Sequence, residues 1–116
     1  GEASSIFYCS EYIGVIYPDK STGSSSGYKL VAYDLNGKEK FSYNFNMEYD
    51  KIHTTEDEII LTGGNKCLII EESGRTKFAY TFDGIIKSMT PSSNRNEYIV
   101  TYENKTDTIK LKTEDE

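Results

Sequence analysis

The chain has 116 residues, a net charge of −6, no tryptophan, and ten tyrosines with five phenylalanines to build a core. That length suits one domain, and the aromatic content argues against disorder. Nineteen carboxylates against thirteen Lys and Arg leave no basic stripe to neutralise phosphates, which excludes nucleic acid as the main partner.

In chain order the pattern predicts strands at Ser5–Cys9, Glu11–Tyr17, Tyr28–Asp34, Lys38–Phe45, Asp50–Thr54, Glu58–Thr62, Lys66–Glu71, Thr76–Phe82, Ile85–Met89, Glu97–Tyr102 and Thr106–Lys112, with no helix. Phe41, Tyr43 and Phe45 alternate with polar residues, the period of a strand with one buried face. Leu68-Ile69-Ile70 is apolar at every position, so its sheet needs cover on both sides. Asn36-Gly37 and Ser73-Gly74 supply residues that accept positive φ in tight turns. The apolar runs are far shorter than the roughly 20 residues of a membrane-spanning helix. Gly1-Glu2-Ala3-Ser4-Ser5 has neither the basic start nor the apolar stretch of a signal peptide. A first-position Gly without an initiator Met reads as a cleavage scar, so the expectation is a piece of a longer protein.

The strands repeat. Val31–Phe45 aligns without a gap on Leu68–Phe82, which places Gly37 on Gly74, Lys40 on Lys77 and the Phe-x-Tyr-x-Phe stripe on its counterpart, at an offset of 37 residues. A second element opens at Glu11-Tyr12-Ile13, Glu58-Ile59-Ile60 and Glu97-Tyr98-Ile99. Its uneven spacing assigns ten extra residues to Pro18–Gly27 and two to Thr90–Asn96, both rich in loop formers. Three units follow, at about 5–45, 50–82 and 85–112. Four short antiparallel strands per unit of about 40 residues is the pattern of a β-propeller blade. The fold class expected is all-β: about two and three-quarter consecutive four-stranded antiparallel blades, a fragment of a larger propeller, with the last outer strand missing.

Tyr33-Asp34-Leu35-Asn36-Gly37-Lys38-Glu39-Lys40-Phe41 resembles the repeat of quinoprotein-like and WD-like propellers, in which a strand ending in Asp leads through a Gly turn into a strand carrying an aromatic. The chain departs from the quinoprotein pattern in having Phe41 and Phe78 where that family prefers tryptophan, and it shows no set of residues for the quinone cofactor. The Lys-, Ile-, Tyr- and Asn-rich composition is also similar to an uncharacterised family of membrane-anchored propellers of Gram-positive anaerobic bacteria. That resemblance implies a parent protein anchored on the extracytoplasmic side of a membrane, and it brings no activity with it.

Candidate sites are few, and each has a structural explanation. His53 is the sole histidine, and its His-x-x-Glu spacing falls on a strand end and turn rather than a helix. Asp34-x-Asn36-Gly37 begins like a calcium loop but lacks the distal Glu, so a hairpin turn explains it better. Glu11, Glu58 and Glu97 read as charges that keep strand starts soluble rather than as a carboxylate arc. The two aromatic trios read as largely buried core between blades rather than as sugar-stacking stripes. Ser21–Gly27 has no phosphate-loop pattern. Cys9 and Cys67 read as two free thiols, with a single internal disulfide as the alternative.

No catalytic, cofactor or metal-binding residue is assigned. The function expected is a non-catalytic protein-interaction or scaffold module without cofactor. A glycan-binding module using exposed Tyr12, Tyr17 or Tyr28 is the rival, and an enzyme is the least supported class. Self-association is expected through the open edge of the last strand and the apolar residues Ile6, Tyr8, Ile99, Ile109 and Leu111 on the end sheets.

Overall fold

The computed structural model describes residues 5–9, 11–19 and 27–112. Within them the chain forms eleven strands, β1 (Ser5–Tyr8), β2 (Tyr12–Pro18), β3 (Tyr28–Asp34), β4 (Glu39–Phe45), β5 (Lys51–Thr54), β6 (Glu58–Gly63), β7 (Lys66–Glu71), β8 (Thr76–Thr81), β9 (Ser88–Pro91), β10 (Glu97–Thr101) and β11 (Thr106–Lys110). They make three antiparallel sheets, β1-β2-β3-β4, β5-β6-β7-β8 and β9-β10-β11, each in chain order. The expected count of four, four and three strands is met. Among the described residues no sheet closes on itself or on another.

The second sheet is the middle layer. Its Ile59, Leu61, Leu68 and Ile70 pack with Tyr12, Ile16, Leu30, Phe41 and Phe45 of the first sheet. Its Ile60, Cys67, Ile69 and Phe82 pack with Met89, Tyr98 and Val100 of the third. β6 and β7 are therefore buried on both faces, as an unbroken apolar run requires. The two cysteines lie in different cores, which is why both are free.

The 37-residue repeat is reproduced in backbone detail. A register shift falls between Ala32 and Tyr33 in one sheet and between Ile69 and Ile70 in the other. The turns that follow match: Asp34 N donates to Lys38 O and Glu71 N to Arg75 O, both at 2.8 Å. Gly37 and Gly74 hold φ of +85° and +88°, a conformation that a Cβ disfavours. The Asp34 Oδ1 accepts the Asn36 and Lys38 amides, each at 2.9 Å, so this acid is a turn former.

Two expectations are corrected. Tyr12 pairs with Asp34 as Glu58 pairs with Glu71, so Tyr12, not Glu11, holds the register of Glu58. The insertion in the first unit is nine residues rather than ten, because Glu11 lies outside the paired strand. The ninth strand begins at Ser88 rather than Ile85. Ile86 instead donates its amide to Gly64 O and buries its side chain, anchoring the crossover from β8 to β9 on the β6–β7 hairpin. Most residues of the predicted loop Ser21–Gly27 lie outside the described residues; of them only Gly27 is described.

Candidate interaction surfaces

The repeat places Lys40 and Lys77 at the same position on β4 and β8, each facing the first residue of the strand two places inward. In the first sheet that residue is Tyr12, and Lys40 Nζ lies 5.0 Å from its ring centroid. In the second it is Glu58, buried, whose Oε2 receives a hydrogen bond and ion pair from Lys77. Tyr98 reaches across from the third sheet and donates its hydroxyl to Glu58 Oε1 at 2.6 Å, and Lys77 also lies 5.6 Å from its ring centroid. Both oxygens of the carboxylate are thus occupied, which makes the trio a latch between sheets. Desolvation, then the bond to Glu58, pushes the Tyr98 phenol well above its ordinary 10.0. A cleft of about 820 Å³ opens beside the latch, lined by carboxylates such as Asp57, Glu72 and Glu97 together with Arg95.

A second groove, of about 930 Å³, runs between β8 and β11. Phe78, Tyr80 and Phe82 form one wall, and Tyr102, Ile109 and Leu111 contribute to the rest. Cross-strand pairing sets these directions. Ile69 opposite Phe78 and Cys67 opposite Tyr80 are buried toward the third sheet, so the aromatics opposite them face that way too.

The third surface is the face of the first sheet turned away from the second. Register equivalence puts Ile6, Ile13, Val15 and Val31 where the second sheet has Ile52, Ile59, Leu61 and Leu68. Those four sit in or against the core, whereas Ile6 is 60% exposed and neighbouring Tyr8 is 71% exposed. The outward face of the third sheet differs. Thr106 and Thr108 stand where β7 has Cys67 and Ile69.

Several predicted residues are placed differently from expectation. The first aromatic trio is mostly buried, but in the second only Phe82 is buried and Tyr80 is 54% exposed, because among the described residues no strand covers it. Tyr12 is 1% exposed, which removes it as a glycan platform. Tyr28 stacks on Phe45 at 5.3 Å between centroids and donates its hydroxyl to Glu48 at 3.1 Å, and Tyr17 is half-buried. Ile109 and Leu111 pack against the second core rather than outward, while Ile99 is half-buried.

The three repeated glutamates do different things. Glu11 is exposed and Glu58 is the buried latch, which contradicts its reading as a solubilising charge. Glu97 accepts hydrogen bonds from Ser92 at 2.6 Å and Asn94 at 2.9 Å, and these hold its carboxyl below the usual range. His53 is exposed on β5, and among the described residues no three His, Cys, Asp or Glu side chains converge as a metal site would need. Burial pushes the Cys67 thiol up to about 11, keeping it protonated at neutral pH. The latch itself was not anticipated: Lys40 and Lys77 recur in the repeat, but only the register brings Glu58 beneath Lys77.

The model of a family of unknown function, DUF5711, matches residues 1–111, so the chain belongs to that family. No curated protein matches it.

Proposed function

We propose that this member of DUF5711 is a non-catalytic interaction module, consecutive blades of a β-propeller, that binds protein through the outward face of its first sheet. The observation that carries the reading is the contrast between equivalent positions. Ile59 and Leu61, sealed in the core of the second sheet, have the half-buried Ile13 and Val15 as counterparts, and part-buried Ile52 has Ile6, which is 60% exposed; Val31 alone of the four stays buried. The blade assignment is supported by the repeated bulge and turn at an offset of 37 residues and by face-to-face stacking of the sheets. The quinoprotein-like and WD-like resemblance agrees with it. Function on such a scaffold lies in what its open surfaces contact.

Thr106 and Thr108 make the far end of the stack polar, so two copies meet first sheet to first sheet rather than head to tail. Such a pairing is self-complementary and closes. Light scattering after size exclusion, repeated over a tenfold dilution, tests this. The expected result is a mass above 13.2 kDa that falls on dilution and is reduced to the monomer by Ile6→Asp with Tyr8→Asp. A concentration-independent monomer overturns the pairing.

A further inference from the structure

β5 and β9 are the first strands of their sheets, and a pocket of about 370 Å³ lies between them. Register sets what enters it. Lys51 pairs with Thr62 and His53 with Ile60, and directly opposed residues share a face of the sheet. Ile60 packs in the core between the second and third sheets, so Lys51, His53 and Thr62 turn the same way, toward β9. Buried Met89 closes the far side, flanked along its strand by Ser88 and Thr90. Lys51 Nζ donates to the Lys87 carbonyl, a bond that steadies the ammonium without neutralising it. Among the described residues Lys51 forms no ion pair, and no Asp or Glu lines the pocket. The chain carries a net charge of −6 and the cleft beside the latch is rich in carboxylates, yet here the ionisable side chains are a lysine and a histidine.

We propose that this pocket binds a small organic carboxylate, with the anionic head on Lys51 and the apolar body against Ile60 and Met89. Lys51 and His53 stand two apart on β5, the spacing that sets side chains side by side on one face, and each has an N–H to give to a carboxylate. Charge-assisted bonds of this kind are the strong ones. Apolar walls with a few polar groups that fix orientation are the usual composition of a small-molecule site. Inorganic phosphate fits less well, since its oxygens point in all directions and Ile60 and Met89 offer them no donor. The pocket shares no residue with the outward face of the first sheet, so it goes beyond the interaction-module reading.

Benzoate is the probe, titrated into the full chain at constant ionic strength and followed by amide shifts. Saturation with a dissociation constant of about 5 mM or tighter is expected, the scale for a ligand this small. The largest shifts should fall at Lys51, His53, Thr62 and Met89. Neutral benzamide, of nearly the same shape, should bind at least about fivefold more weakly, and so should inorganic phosphate. Lys51→Met keeps the stem and removes the charge at an exposed position, and should weaken benzoate about fivefold or more. Lys38→Met, in the turn between β3 and β4, should leave it unchanged. Absence of saturable shifts, equal binding of benzamide, shifts centred outside β5, β6 and β9, indifference to Lys51→Met, or phosphate binding more tightly than benzoate would each overturn the proposal. The variant with Ile6→Asp and Tyr8→Asp should bind benzoate as the parent does, so failure of the first-sheet surface and failure of this pocket are read separately.

Discussion

The two interfaces between sheets are built on the same repeat, yet they handle polar groups in opposite ways. Between the first and second sheets the core is apolar apart from Tyr12, whose buried hydroxyl has no hydrogen-bond partner. Between the second and third sheets a carboxylate sits at the position of Tyr12, and a tyrosine from the facing sheet satisfies it. The residue that holds the register of Tyr98 in the second sheet is Ile59, which cannot bond to Tyr12. Exchange of two residues within one framework therefore moves a hydroxyl from a satisfied to an orphaned state. The interfaces also differ in closure. Phe41 lies under the Gly74 turn, where an added Cβ would come within 3.0 Å of its ring, whereas its counterpart Phe78 borders the open groove.

That difference in closure makes the largest prediction. Phe41→Ala should cost about 3–4 kcal/mol, in line with the removal of a buried ring, and Phe78→Ala only about 1–2 kcal/mol. Urea denaturation with unchanged slopes reads both values. Equal losses would mean that the second interface is as sealed as the first, and the groove would lose its basis. A Phe78→Ala protein that unfolds like the parent would go further and deny that the repeated aromatic packs at all.

The latch comes next. Glu58→Ala removes the acceptor of both Lys77 and Tyr98, with side chains 11% and 21% exposed for the Glu58 and Lys77 pair, and should cost about 2–3 kcal/mol. Tyr98→Phe leaves Lys77 in place and should cost about 1–2 kcal/mol. A pH signature separates this from lost packing. The phenol's pKa is raised in the folded state, so its contribution is fully present below the unfolded value of 10.0 and is lost as pH rises above it. The parent chain should lose stability above pH 10 more steeply than Tyr98→Phe. Identical slopes would show that the hydroxyl is not held as a donor to Glu58.

Much of this architecture is legible in the residues. The alternation of Phe41, Tyr43 and Phe45, the Gly turns and the gapless alignment on Leu68–Phe82 fix strand type, order and the equivalence of two sheets, because each is local along the chain. Burial was less legible. The same Phe-x-Tyr-x-Phe stripe is sealed in one copy and half-open in the other, since exposure depends on the neighbouring sheet rather than on the strand. Alignment of the glutamates failed by one residue at Glu11, where the shared letter suggested a register that the Tyr12–Asp34 pair does not keep. The Ile85-Ile86 pair looks like a strand start, but Ile86 serves as an anchor for a crossover, a role with no period to reveal it. Glu58, the most consequential side chain, reads as a surface charge in the sequence because its two partners come from 19 and 40 residues away.

The smallest expected effect tests the comparison most directly. Desolvation leads the causes that push the Tyr12 phenol far above its ordinary value, the nearby Cys9 thiol comes second and the charges of Glu72 and Asp57 add to it, yet the hydroxyl makes no hydrogen bond of normal geometry. A buried hydroxyl without a partner carries a desolvation cost that its removal relieves. Tyr12→Phe keeps the ring, its edge contact with Phe41 at 6.1 Å and its place beneath Lys40. The variant should therefore be neutral or more stable by up to about 1 kcal/mol, opposite in sign to the same substitution at Tyr98. Paired urea titrations of the two Phe variants decide it. If Tyr12→Phe instead loses about 1 kcal/mol or more, the first interface holds its hydroxyl as the second does, with a partner such as the Cys9 thiol, and the asymmetry between the two interfaces reduces to closure alone.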